Sequence, residues 1–308
     1  MNTANLSIAA VERNTGLSKD VLRVWERRYG FPAPSRDANG ERSYPADQVE
    51  RLRQIKRLMD QGYRPGKLIA LPAAELSRLA PRVARNATAV ATESASSANT
   101  DGLSEWLALI RQHDADAFAQ AMQQRLARLG LQAFVQDIVA PLTTRVGQAW
   151  QEGFFEVFEE HLFTELTERV LRQAIATLPR NGGSPRVLLT SLPDEQHILG
   201  LLMIEALLTL EGAACIPLGV NMPLPEIIQA AQAHRADIVA LSFSAAFPTR
   251  QIPELVQQLS RALPAPTDLW IGGAGVARLT PPSGVQRFVA LEEGVEALSA
   301  WRANRTLR

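Results

Sequence analysis

From Arg186 onward, five short apolar runs (187–192, 214–218, 237–243, 268–272 and 286–291) alternate with longer helical stretches. That alternation implies βαβ units and a parallel, doubly wound sheet. Before it, Leu103 to about Leu178 reads as helices with few breakers, ended by Asn181-Gly182-Gly183-Ser184-Pro185. Residues 86–101, NATAVATESASSANTD, are almost all Ala, Ser, Thr and Asn and offer little apolar mass to bury, which reads as a flexible linker. The chain therefore divides into an N-terminal domain (1–80), a linker (81–102), a helical bundle (103–183) and an α/β domain (184–308).

Composition narrows the function classes. The 308 residues suffice for two or three domains. No run reaches the roughly 18 apolar residues of a membrane span; the longest candidate, Ile198 to Leu210, is broken by Glu205. No basic-plus-apolar signal peptide opens the chain, so the expected location is cytoplasmic. Cys215 is the only cysteine, which excludes an intrachain disulfide and a Cys-rich zinc site and reads as a small buried side chain. Residues 1–85 carry 16 Lys and Arg against 9 Asp and Glu, whereas the rest carries 16 against 23. A basic head on an acidic body fits a domain that meets nucleic acid.

Within that head, Leu6 to Arg13 suits a first helix, Thr15-Gly16-Leu17 a turn, and Ser18 the N-cap of a second helix to about Tyr29. Val21, Leu22, Trp25 and Tyr29 share its inward face, while Lys19, Arg23 and Arg27 lie on another. A basic face on the second helix of a helix-turn-helix is what entry into the major groove requires. Asn39-Gly40, flanked by Arg36 and Arg42, signals a two-stranded wing whose arginines grip phosphates. Helices at about 46–61 and 65–71 complete a small core. The run LRVWERRYGFPAPSRDANGERSYPADQVERLRQIKRLMDQGY resembles the winged-helix domain of the MerR family of regulators over about residues 5–75. The resemblance implies contact with a double-stranded operator through Arg23, Arg27, Arg28, Arg36, Arg42 and Tyr44, beside Lys19. No sustained heptad follows, so self-assembly falls to the C-terminal parts.

In the α/β segment an apolar strand ends near Leu192, and the loop after it carries Glu195-x-His197-x-x-Gly200 before a helix begins. His197 therefore lies beyond the carboxyl end of the first strand, where open α/β sheets bind ligands. A neutral imidazole there ligates a metal through one nitrogen, Glu195 accepts a hydrogen bond from the other, and Gly200 lets the backbone approach a bulky ligand. Between Gly200 and Ser242 stand 41 residues; Ser242-Phe243-Ser244 follows a strand, and 27 residues then precede Gly272-Gly273. This spacing resembles the cobalamin-binding, Rossmann-like (flavodoxin-like) fold of methionine synthase and the corrinoid mutases. That resemblance implies His197 below cobalt, Ser242 or Ser244 hydrogen-bonded to the cofactor's displaced nucleotide tail, and Gly272 and Gly273 leaving it room. Glu195 stands where those enzymes have Asp.

Trp150, nine intervening residues and Glu160-His161 form a further pattern. It resembles the signature of the CarH and LitR adenosylcobalamin-dependent photoreceptor repressors, which share the three-part order of winged helix, four-helix bundle and cobalamin domain. The resemblance implies that Trp150 covers the upper axial group and that Glu160 and His161 help hold the adenosyl moiety. It also implies a non-enzymatic repressor whose assembly as dimer or tetramer, and hence operator binding, follows bound adenosylcobalamin and light. Gln151 follows Trp150 where the photoreceptor pattern has a cobalt-capturing histidine, and an amide oxygen is a poor cobalt(III) ligand. Sensing of the vitamin without light, loss of the cofactor in favour of protein partners, and a corrinoid methyl-transfer role stay open on these residues.

Overall fold

Two serines start the N-terminal helices. In the computed structural model, which describes residues 5–36, 40–60, 63–72, 75–76, 79, 97–179 and 182–306, Ser7 accepts the Ala10 N–H to cap α1 (Ile8–Thr15). Ser18 accepts the Val21 N–H to cap α2 (Lys19–Tyr29). Both helices stop at glycines in the left-handed region, Gly16 and Gly30, whose N–H groups close the last turn. Leu22 and Trp25 are buried on α2, and Val21 and Tyr29 pack against the same core. α3 (Ala46–Asp60) and α4 (Pro65–Ile69) complete it through Val49, Leu52, Ile55 and Leu68.

The wing consists of β2 (Ser35–Arg36) paired antiparallel with β3 (Arg42–Tyr44). A third strand, β1 (Leu6–Ser7), pairs with the other edge of β3. It is too short for any alternation pattern, and the sequence reading placed it in the first helix. Of the expected hairpin turn, Asn39 lies outside the described residues, and Gly40 has φ of 79°.

The helical region contains α5 (Ser97–Arg111), α6 (Ala115–Leu129), α7 (Leu131–Ala133), a π-helical stretch (Phe134–Val139), α8 (Ala140–Gln151) and α9 (Val157–Ala176). α7, the π stretch and α8 run on without a break, which leaves four long helices. Trp106, Phe118 and Phe163 stack edge to face in their core. α5 starts inside the segment assigned to the linker, although Ser97, Asn99, Thr100, Asp101 and Gly102 are weak helix formers, because its later turns are packed. Residues 81–96 of that linker lie outside the described residues.

The described parts of the chain fall into two compact units, residues 1–100 with 146–160 and residues 101–145 with 161–308. In the second, five parallel strands, β4 (Arg186–Thr190), β5 (Ala214–Gly219), β6 (Ile238–Ser242), β7 (Asp268–Gly272) and β8 (Val285–Phe288), match the five apolar runs. Their order is β5-β4-β6-β7-β8. The winding reverses on either side of β4, so a crevice opens beyond the carboxyl ends of β4 and β6. The crossovers are α10 (Leu199–Leu210), α11 (Leu224–Ala233) and α12 (Ile252–Ala262), and α13 (Leu291–Thr306) ends the chain. α10 is buried along most of its length, Leu199, Leu201, Leu202, Leu207 and Leu208 among others, and packs on the sheet, α13, α7 and the π stretch. The apolar run Ile198–Leu210 is thus a helix enclosed by protein on several sides. Among the described residues, no helix is long and apolar enough to cross a membrane.

Candidate functional site

The crevice is built by three loops drawn together. After β4 the chain passes through Leu192, Pro193 and Asp194 (φ 72°) to Glu195. Ser191 Oγ donates to the Glu195 carbonyl at 2.7 Å and accepts the Asn221 N–H at 3.1 Å, while Asn221 Oδ1 accepts the Asp194 N–H at 3.0 Å. The loop after β5 therefore braces the loop after β4. From the other side, the Glu195 carboxylate, 1% exposed, accepts the Ser244 N–H of the loop after β6 at 2.7 Å.

The other carboxylate oxygen of Glu195 holds His197. Oε1 lies 2.6 Å from His197 Nδ1 and accepts the His197 backbone N–H at 3.0 Å. Burial of Glu195 opposes its ionisation, but the His197 side-chain bond and charge, with the Ser244 and His197 N–H donors, outweigh burial and hold the carboxyl below its usual range. An ionised carboxylate only accepts, so Nδ1 carries a proton, and in the neutral ring Nε2 is then the nitrogen with the lone pair. The imidazole side chain is 57% exposed, at the crevice rim, which is the geometry of a ligand nitrogen held in one tautomer by a buried partner.

Behind the histidine, α10 and the sheet approach at backbone width. A Cβ on Gly200 would stand 2.7 Å from Ser242 Oγ. Ser242 pairs in register with Gly272, where a Cβ would meet only the Phe288 carbonyl, at 3.6 Å. Gly273 has a different reason to be glycine. Its φ is 101°, and a Cβ there would come within 2.4 Å of the Phe243 carbonyl oxygen, so it serves the close packing of the loops after β6 and β7. Ser244 Oγ accepts the Ala246 N–H at 3.3 Å, and Ser242 Oγ is the hydroxyl that faces Gly200. Glu195, His197, Gly200, Ser242, Ser244 and Gly272 thus form one cluster. Ser191 and Asn221, which brace it, escaped the sequence reading.

Trp150 is half-buried in the last turn of α8, which Gly153 closes in the left-handed conformation by donating to the Trp150 carbonyl at 3.0 Å. Gln151 is exposed. Glu160, half-buried, and His161, exposed, lie in the first turns of α9, next to Glu159, whose carboxylate accepts the Glu156 N–H at 2.7 Å.

On the head, Arg23, Arg27, Arg28 and Arg36 are exposed, and Lys19 is half-buried. Lys19 pairs with Glu12 at 3.4 Å, Arg23 with Asp20 at 3.1 Å, Arg28 lies over the Tyr29 ring, and Arg36 Nη1 donates to the Gly40 carbonyl at 2.6 Å. Tyr44 corrects the sequence expectation of DNA contact. Its ring is 0% exposed in the core, and its hydroxyl donates to Glu26 Oε1. Burial, then the Glu26 bond, raise the hydroxyl pKa. Arg42 Nε donates to the other Glu26 oxygen at 2.9 Å. Glu26 therefore ties the wing to α2, a role the sequence reading missed although an acid between Trp25 and Arg27-Arg28 is out of place on a DNA-facing helix.

Comparison with known proteins finds three family models along the chain. The MerR HTH family regulatory protein model matches residues 6–71, and two B12 binding domain models match residues 103–175 and 185–300. The chain is similar to the HTH-type transcriptional repressor CarH of Myxococcus xanthus, 31% identical over 278 residues, which span 88% of this chain and 89% of CarH. It is 28% identical over 273 residues to the repressor CarA of the same organism, spanning 88% of this chain and 87% of CarA. Among solved structures it resembles the Methanosarcina barkeri monomethylamine corrinoid protein, with a TM-score of 0.53 at 15% identity over 66% of this chain and 100% of that one. At that identity the likeness shows the fold alone.

Proposed function

The chain belongs to the family of HTH-type transcriptional repressors that includes CarH, and from that premise we propose that it is a repressor whose grip on its operator is set by bound adenosylcobalamin and reset by light. The observation that carries this reading is the Glu195 carboxylate, which fixes the His197 tautomer with one oxygen and binds the next loop with the other.

The residues present fit a corrinoid. A rim imidazole with its ligand nitrogen defined by a buried carboxylate suits cobalt. A gap between α10 and β6 that a single Cβ would fill suits the nucleotide tail. In this reading His197 would ligate the cobalt, Glu195 would orient the imidazole, Ser242 would donate to the tail, and Gly200 and Gly272 would leave it room. Trp150 gives an aromatic wall for an adenine, and Glu160 and His161 offer groups for the ribose hydroxyls. When bound, adenosylcobalamin supplies a light-cleavable cobalt–carbon bond.

Lys19, Arg23, Arg27, Arg28 and Arg36, with Arg42 held by Glu26, present the cationic surface for a double-stranded operator. Self-assembly as a dimer or tetramer puts several heads on one site and multiplies their grip. The ligand shifts the assembly equilibrium by its unequal affinity for the two states. Gln151 favours a second reading in which the vitamin is sensed without light, because an amide oxygen is a poor substitute for an imidazole on cobalt(III). A methyl-transfer subunit leaves the head without a role.

The test is gel filtration and operator binding with adenosylcobalamin, in darkness and after green light. Dark assembly and tight binding, both lost on illumination, support the proposal. Assembly unaffected by light supports the second reading, and no response to the vitamin rejects both.

A further inference from the structure

We propose that Trp270 is a specificity-determining residue for the lower half of the cofactor: its indole N–H donates to an acceptor on the nucleotide tail, and its ring closes the inner end of the tail's slot. This rests on the corrinoid reading above.

Trp270 sits on β7 opposite Ala240 of β6 and Gln286 of β8. Side chains alternate along a strand, so Trp270 shares a face with Gly272, and Ala240 shares one with Ser242. That face is covered by α10 and α13, since Trp270 belongs to one core cluster with Leu201, Leu208, Leu298 and Trp301. Gly200 approaches Ser242 from the same helix α10. Read from the strand ends inward, this face therefore passes the small residues Ser242 and Gly272, with Gly200 packed against Ser242, and reaches a large aromatic residue one pleat deeper.

The indole is 2% exposed, and its Nε1 has no hydrogen-bond partner. The contrast with its neighbour is informative: Trp301, in the same cluster, gives its Nε1–H to Asp268 at 2.8 Å. A buried N–H left unpaired is costly, and a fold that satisfies one of two adjacent indoles and leaves the other vacant has kept a donor available. Phe288 packs edge-on against the Trp270 ring at 5.1 Å between centroids, and limits its rotation. The indole N–H is thus a buried, unpaired donor one pleat below Gly272, and the nucleotide tail of cobalamin would be the portion of the cofactor that brings acceptor nitrogen and oxygen to it.

The experiment compares aquocobalamin with aquocobinamide, which has the corrin but lacks the nucleotide tail, by absorbance titration of the full chain and of Trp270→Phe. Thermal melting of each protein without corrinoid checks the fold. The expected result is about tenfold weaker cobalamin binding by the variant with cobinamide binding unchanged. Unchanged cobalamin affinity, or equal losses for both corrinoids, overturns the proposal and leaves the corrinoid reading intact. A wild-type protein that takes up neither compound overturns both. Should Trp270→Phe fail to fold, a crystal structure of the wild-type complex decides: Nε1 within hydrogen-bond distance of the tail supports the proposal, and Nε1 without that contact rejects it.

Discussion

Glu195 and His197 are locked together, with carboxylate oxygen and ring Nδ1 2.6 Å apart and the acid 1% exposed. The pairing makes the tautomer of His197 a property of the protein and not of the ligand. Glu195→Gln keeps the shape but presents an amide. With its oxygen accepting from the Ser244 N–H, its NH2 group faces Nδ1, and the proton moves to Nε2, where it blocks ligation. We expect cobalamin bound 10- to 100-fold more weakly, the loss usual for such a supporting group, with a spectrum in which the cofactor keeps its own base on cobalt. Absorbance titration measures both.

Gly200→Ala separates binding from stability. The new methyl would lie 2.7 Å from Ser242 Oγ, but that hydroxyl can rotate aside. Alanine also gains about 1 kcal/mol over glycine within a helix, which offsets the crowding. The melting temperature without ligand should therefore stay within a few degrees, while cobalamin uptake falls at least about tenfold, because the methyl occupies the gap. Differential scanning fluorimetry and equilibrium dialysis read the two effects.

On the head, Glu26 and Arg27 are adjacent in sequence and opposite in role. Glu26→Ala removes the partner of both Arg42 and the buried Tyr44 hydroxyl, and should cost about 2–3 kcal/mol of stability. Arg27 is exposed, so Arg27→Ala should shift stability by less than about 0.5 kcal/mol. It should weaken operator binding and reduce the slope of log affinity against log salt by about one. Denaturant melts and salt-dependent gel shifts distinguish the pair.

Cys215 offers a check on the edge of the sheet. Burial pushes its thiol up from 9.0 to about 11. At pH 8 almost no thiolate exists in the folded protein, so iodoacetamide should label the native chain far more slowly than the chain in denaturant. The sign for stability follows: the unfolded thiol ionises first, so the contribution present below pH 9 is lost as pH rises toward about 11. Cys215→Ala should flatten that part of the pH profile.

Much of the cluster's geometry was legible because the topology of a parallel sheet can be read from its strands. Ser242 and Gly272 end their strands, Glu195 and His197 follow the end of β4 and Gly200 opens the next helix, and a parallel sheet brings such ends together whatever lies between. Ser18 and the inward face of α2 were equally readable, since caps and helical periodicity are local. The failures are all non-local. Tyr44 reads as a wing residue, and only the packing of β3 against α2 reveals that it is core. Gly273 reads as room for a ligand, whereas the Phe243 carbonyl requires it. Asn221 and Ser191 act across two loops 30 residues apart, which leaves no trace in a linear pattern.

The most direct test of the account is the electron paramagnetic resonance spectrum of the cobalt(II) form of the cobalamin complex, prepared with natural and with 15N-histidine-labelled protein. If His197 is the lower ligand, each cobalt line shows a nitrogen triplet that becomes a doublet on labelling, and His197→Ala abolishes the change. A triplet that survives labelling means that the cofactor's own base still holds the metal, and contradicts the assignment of His197.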